Sequence, residues 1–160
     1  MTDAAHTKAA RPTLGALAVF IALVVLGGTA IGFLSLPGEW YAALEKPAFN
    51  PPNWIFAPVW TTLYVLIGIA GARTWSLGRT TAGMTLWWVQ LALNWIWSPI
   101  FFVLHAPLVA LAVVASMLIA IIAFIATSWR RDRISAMLFL PYAAWVSFAS
   151  LLNACIVVLN

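Results

Sequence analysis

Four carboxylates (Asp3, Glu39, Glu45, Asp132), two histidines (His6, His105) and one cysteine (Cys155) are the only acidic, imidazole or thiol side chains in the 160 residues. Every carboxylate and histidine falls in a tail or a connection between apolar runs. A paired-carboxylate acid/base site, a proton relay or a His-ligated metal centre therefore has no material to be built from. An ion-coupled pump and a metalloenzyme are not expected. Cys155 lies in the last apolar run, where a lone cysteine reads as a small buried hydrophobe. One cysteine supports neither a disulfide framework nor a thiolate cluster.

What remains are neutral polar groups and aromatics, and these are patterned. Trp87, Gln90, Asn94 and Trp97 follow i, i+3, i+7, i+10, one face of a helix. Trp145, Ala149 and Asn153 follow i, i+4, i+8, and Trp60 and Tyr64 are i, i+4. Depths follow from the rise of about 1.5 Å per residue: Trp60 and Tyr64 roughly 3 and 9 Å below the outer membrane face, Trp97 and Asn94 roughly 10 and 15 Å. Asn153 and Ala149 come out roughly 10 and 16 Å down, with Trp145 near mid-membrane. Three matched faces in the outer half of a bilayer, beneath a loop carrying Trp40 and Trp54, describe a pocket with a lid. The competing reading is structural: Asn and Gln in membrane helices often serve as interhelical hydrogen-bond partners, contributing about 0.6–2 kcal/mol, and aromatics at helical spacing are often packing. Trp75 and Trp129 flank arginines and read as an interfacial belt with no ligand role.

The elements that must hold these residues are legible from composition. The chain is 64% hydrophobic and 8% charged, against about 25% charged in soluble domains. Its apolar runs, 14–36, 55–76, 82–104, 106–129 and 134–159, are each close to the ~20 residues that cross a bilayer as helix. The expected fold is an all-α membrane protein, a bundle of five transmembrane helices, with a short polar tail at 1–12 and a lid loop at 37–57. That loop and the turn after it carry Pro37, Pro47, Pro51, Pro52 and Pro58, which restrict the backbone. Pro107 suits a first helical turn, whereas Pro99 and Pro141 should kink their helices. The first run is longer than the core of a secretory signal, so it reads as a span. Gly28-Thr-Ala-Ile-Gly32 has the spacing that lets helix backbones approach, within the bundle or against a second copy; the former is favoured. Lys8, Arg11, Arg73, Arg79, Arg130, Arg131 and Arg133 would share one side and Lys46 alone the other. That bias places the N-terminus inside and Asn160 outside. The net charge of +4 is then a matter of orientation, and no nucleic-acid partner is needed to explain it.

Four blocks resemble the translocator protein / tryptophan-rich sensory protein family: Trp40-Tyr41-x-x-Leu44-x-Lys46-Pro47, Pro51-Pro52-x-Trp54, Gln90-x-x-Leu93-Asn94-x-x-Trp97-x-Pro99-x-Phe101-Phe102, and Pro141-Tyr142-x-x-Trp145 followed by Leu152-Asn153. The resemblance spans residues 40–160 in order. It implies a five-helix membrane receptor, often a homodimer, whose pocket takes porphyrins and other flat hydrophobic ligands. Family pocket positions carried over singly are Trp40 and Tyr41 in the lid, Trp60, Asn94, Trp145 and Ala149; with Tyr64, Trp97 and Asn153 from the face analysis they make the candidate site. Vertebrate members carry a cholesterol-recognition pattern at the end of the last helix. The matching stretch here, Leu152–Val158, lacks its Tyr and its basic residue, which argues against specific sterol binding.

The leading function is a binding and sensory protein for a porphyrin (protoporphyrin IX or haem-like) or a similar flat hydrophobic ligand. Its partners are that ligand, membrane lipid and a second copy, with no cofactor required. Two alternatives stand beside it: light-dependent porphyrin degradation using tryptophans as redox partners, which no acid/base or metal apparatus supports, and facilitated movement of a tetrapyrrole or lipid-like solute.

Overall fold

The computed structural model describes residues 11–160; most of the expected tail, with Asp3, His6 and Lys8, lies outside them. Among the described residues the structure is all-helical, with five long helices: α1 Leu14–Leu34, α3 Phe56–Leu77, α4 Ala82–Phe102, α5 Pro107–Ser128 and α6 Arg133–Leu159. The sixth, α2 (Glu39–Ala43), is a short helix inside the expected lid loop, which also holds a 3-10 turn at Asn53–Ile55. Neither short piece has enough residues for a periodicity to register, so the loop reads as irregular from sequence.

The helix ends have local causes. Thr13 and Thr81 cap α1 and α4, each hydroxyl accepting the amide N–H three residues on. Pro107 opens α5, where its missing N–H costs nothing. Pro58 falls in the first turn of α3, while α6 continues through Pro141.

Four of the long helices are long and apolar enough to cross a membrane: α1, α3 with its 3-10 turn, α5 and α6. α4 has the length but is not among them, because Gln90, Asn94, Ser98, Pro99 and four tryptophans lower its hydropathy. Its most polar residues, Gln90 and Asn94, are nevertheless buried against its neighbours.

The helices close into a ring in the order α1, α3, α6, α5, α4, with α4 returning to α1. Inside lies one core in which Ile67, Trp87, Leu91, Val114, Ile121, Phe139 and Tyr142 are almost wholly buried. Outside, Leu14, Leu26, Phe33, Ile119, Ile122, Leu140 and Leu151 are exposed, as suits helices whose outer solvent is hydrocarbon. Close approach sets the α1–α3 seam: a Cβ at Gly68 would sit 2.7 Å from the Ile21 Cα. Of the Gly28/Gly32 pair, Gly28 packs on the Tyr64 ring of α3, whereas a Cβ at Gly32 would meet nothing within 4 Å. The pair is thus only half used within the bundle.

At the end of the bundle where α3 gives way to α4 and α5 to α6, Arg73 reaches Asp132 with two hydrogen bonds, Nε to Oδ2 at 2.9 Å and Nη2 to Oδ1 at 2.6 Å. Ser135 donates to the same carboxylate at 2.5 Å. The sequence placed Asp132 in an ordinary connection; its side chain is only 6% exposed.

Candidate functional site

The expected site residues arrive in two groups, at successive levels along α6. The first gathers around Tyr142, which is wholly buried at the middle of the bundle. Asn94 of α4 donates through Nδ2 to the Tyr142 hydroxyl at 3.1 Å, and that hydroxyl donates to Met117 Sδ of α5 at 3.3 Å. Trp60 of α3 meets the Tyr142 ring edge-on with centroids 6.3 Å apart, and is tilted against Tyr64 at 5.4 Å. Three residues after Tyr142, Trp145 packs against Phe56 and Phe148 at 5.7 and 5.8 Å.

Trp145 also forms a wall of an open apolar groove of about 740 Å³ between α3 and α6, with Pro58, Leu63, Pro141 and Phe148. Its indole N–H is buried and has no hydrogen-bond partner. A buried donor without an acceptor is uncommon and costs of order 1–3 kcal/mol. On α4, Gln90 gives Nε2 to the Trp87 carbonyl at 2.8 Å while its Oε1 stays unpartnered. Trp87 is fully committed to structure, its indole bonding the Ile67 carbonyl at 2.9 Å.

The second group gathers around Phe101. Trp97 stacks on Phe101 at 5.3 Å and 21°, and its indole donates to Asn153 Oδ1 at 3.2 Å. Asn153 in turn donates to the Pro107 carbonyl at 2.8 Å, so one amide joins α4, α6 and the start of α5. Above them sits α2: Trp40 stacks on His105 at 4.3 Å and 18° and meets Phe101 edge-on at 5.7 Å. Tyr41 packs on Phe102 at 5.3 Å, with the Lys46 ammonium 4.6 Å from its ring centroid. Burial pushes the Tyr41 phenol up, against a smaller opposing pull from Asn50, so the ring facing Lys46 is neutral. His105 takes φ 51°, in the left-handed region that histidine tolerates better than most residues.

Trp60, Tyr64 and Asn94 therefore come together at Tyr142, Trp145 lies apart from them in the wall of the α3–α6 groove, and Trp40, Tyr41, Trp97 and Asn153 form a further cluster that joins the lid to the bundle. Ala149 is half-buried on α6, one turn beyond Trp145 and one before Asn153. Asn94, Trp97 and Asn153 spend hydrogen bonds on other helices, the structural use weighed against a ligand role. Two hubs were missed. Tyr142 is three residues before Trp145, and Phe101 extends the Trp87–Trp97 series by one more turn; the helical spacing contained both.

Helices of this length and apolarity, packed by aromatic and amide contacts, define a multi-pass helical membrane protein. Residues 20–159 match the model of the TspO/MBR family, and the chain belongs to that family. It is 37% identical to protein CrtK of Rhodobacter capsulatus over 145 residues, covering 88% of this chain and 89% of that one. It is 43% identical to tryptophan-rich protein TspO of Archaeoglobus fulgidus over 123 residues (76% and 80%). To the human translocator protein it is 37% identical over 139 residues, 81% of each chain.

Proposed function

We propose that the chain is a five-crossing membrane receptor or sensory protein that binds a porphyrin, or a similar flat hydrophobic ligand, among the aromatics around Trp145. The carrying observation is the meeting of Trp60 and Tyr64 of α3 and Asn94 of α4 at Tyr142 of α6, three residues before Trp145, whose buried indole N–H has no partner. Aromatic faces give a flat ring stacking area. A few polar groups in an otherwise apolar pocket fix its orientation, and a ligand acceptor would satisfy the Trp145 donor. No cofactor is invoked.

As the fifth crossing, α4 is supported by its packing between α1 and α5 and by the inward placement of Gln90 and Asn94. The N-terminus is assigned to the inside and Asn160 to the outside. Arg11, Arg73, Arg79, Arg130, Arg131 and Arg133 fall at or near one set of helix ends and Lys46 at the other.

Ala149 tests the reading. A small residue one turn beyond Trp145 leaves room for a ring that a larger one would fill. Ala149→Phe is expected to weaken protoporphyrin binding about tenfold, equivalent to about 1.4 kcal/mol, at a near-wild-type melting temperature. Binding lost together with stability would make Ala149 a packing residue.

A further inference from the structure

The lid is fastened to the bundle by two attachments of different character. On the α4–α5 side the attachment is aromatic: Trp40 lies between His105 and Phe101, Tyr41 packs on Phe102, and Leu44 joins the same apolar cluster. The helix itself is tightened by Lys46, whose ammonium bonds the carbonyls of Ala42 at 3.3 Å and Leu44 at 2.9 Å, the use of a basic side chain at a helix C-terminus. On the α6 side the hydrogen-bonded attachment is one residue. Asn160, just past the last turn of α6, accepts the Glu45 N–H at 3.0 Å and donates to the Glu45 carbonyl at 3.1 Å. Its amide thus pairs with the main chain of a residue 115 positions away as a neighbouring strand would. A further bond to the Ile156 carbonyl at 3.0 Å fixes its rotamer. Beyond Glu45 the loop meets α6 through Phe49 and Phe148, 6.4 Å between centroids.

We infer that Asn160 is the positioning residue of the lid: its side chain is a latch, the Trp40–His105–Phe101 stack is the hinge, and the lid opens on its α6 side. The physical asymmetry is direct. The Glu45–Asn160 pair is exposed, and exposed hydrogen bonds exchange with water at little net cost. The attachment on the α4–α5 side has ring contacts at 4.3, 5.3 and 5.7 Å against the Phe49–Phe148 contact at 6.4 Å on the other, so it must expose more apolar surface to let go. Opening this side uncovers the region of Phe148, which with Trp145 lines the α3–α6 groove. A ligand entering from the lid end of that groove would thus pass between the lid and α6 rather than between α2 and α4. The inference rests on the reading that a ligand binds beneath this lid, but the latch has a signature of its own.

The Glu45 amide reports the latch without any ligand. Hydrogen–deuterium exchange of the full chain in nanodiscs should show Asn160→Ala raising exchange at Glu45 by about tenfold or more, with residues 39–43 unchanged, because only the α6 side is released. Asn160→Asp keeps the acceptor for the Glu45 N–H and should preserve most of that protection, whereas simple fraying of α6 would respond alike to both variants. His105→Ala should loosen residues 39–43 instead. Unchanged exchange at Glu45 in Asn160→Ala, or release of 39–43 together with Glu45, would overturn the latch. Protoporphyrin stopped-flow then separates the two readings: association and dissociation should both accelerate about five- to tenfold in Asn160→Ala. Faster amide exchange with unchanged porphyrin rates would support the latch and count against ligand binding beneath it.

Discussion

Asn153 illustrates what a single polar side chain does when water is absent. Its carbonyl takes the Trp97 indole N–H and its amide gives to the Pro107 carbonyl, so every bond it makes crosses to another part of the bundle. In hydrocarbon such groups have no solvent to fall back on, yet measured interhelical bonds contribute only about 0.6–2 kcal/mol, because the unfolded chain in the membrane also finds partners. Asn153→Ala is accordingly expected to lower stability by about 1–2 kcal/mol, read by thermal unfolding in detergent, with protoporphyrin affinity changed less than threefold at temperatures where the variant is folded. Unchanged stability with binding abolished would reverse the assignment and make Asn153 a ligand contact. Asn94 has the same duality, since its Nδ2 is given to Tyr142 at the edge of the proposed pocket. Sequence spacing placed these amides on the correct faces. It could not tell which partner each would choose, because that depends on where Tyr142 and Pro107 arrive from other helices.

At the scale of elements, the five long helices were legible because apolar runs of membrane length are the strongest signal a chain can carry. Their ends shifted by only a residue or two. α2 was not legible: five residues between Gly38 and Leu44 are too few for periodicity, and the surrounding prolines suggested irregular backbone. The Arg73–Asp132 pair escaped notice too, since its residues are 59 positions apart and only the ring order of helices brings them together. Burial works against the charged form of the Asp132 carboxyl, but the hydrogen bond and charge of Arg73 and the Ser135 hydroxyl outweigh it and hold the pKa below the ordinary aspartate value. The sign of the linkage follows. A depressed folded pKa contributes stability above the unfolded-state aspartate value and loses it as pH falls through the folded one. Asp132→Asn should therefore be less stable than wild type at neutral pH, by about 1–3 kcal/mol for a pair at the edge of the bundle. The gap should narrow steadily on acidification below the normal carboxylate range. A gap independent of pH in thermal melts would show that the carboxylate charge is not what joins α3 to the α5–α6 connection.

For the whole molecule, the distribution of polarity explains both what was legible and what was not. Chemistry-bearing side chains were expected to be absent from the spans, and acid/base machinery was excluded on that ground; the interior of the ring instead holds aromatics and neutral amides, with Trp87, Gln90 and Tyr142 wholly buried. The sequence drew one continuous pocket from three matched faces. The folded chain divides those residues between the Tyr142 group and the Phe101 group, because Asn94 bonds Tyr142 while Trp97 bonds Asn153 further along α6. Residues on one helix face share a direction in sequence, but which of them meet is decided by the partners other helices bring to each level, and spacing along one helix does not carry that. The proposed ligand site is the Tyr142 group together with Trp145, which lines the α3–α6 groove. The direct measurement is a protoporphyrin titration in nanodiscs, followed by tryptophan fluorescence, on wild type and on the Trp60→Phe plus Trp145→Phe double variant. Saturable quenching is expected in wild type, with an affinity weakened by at least about tenfold, or 1.4 kcal/mol, in the double variant at unchanged melting temperature. No saturable quenching, or an affinity indifferent to the loss of both indoles, would contradict it.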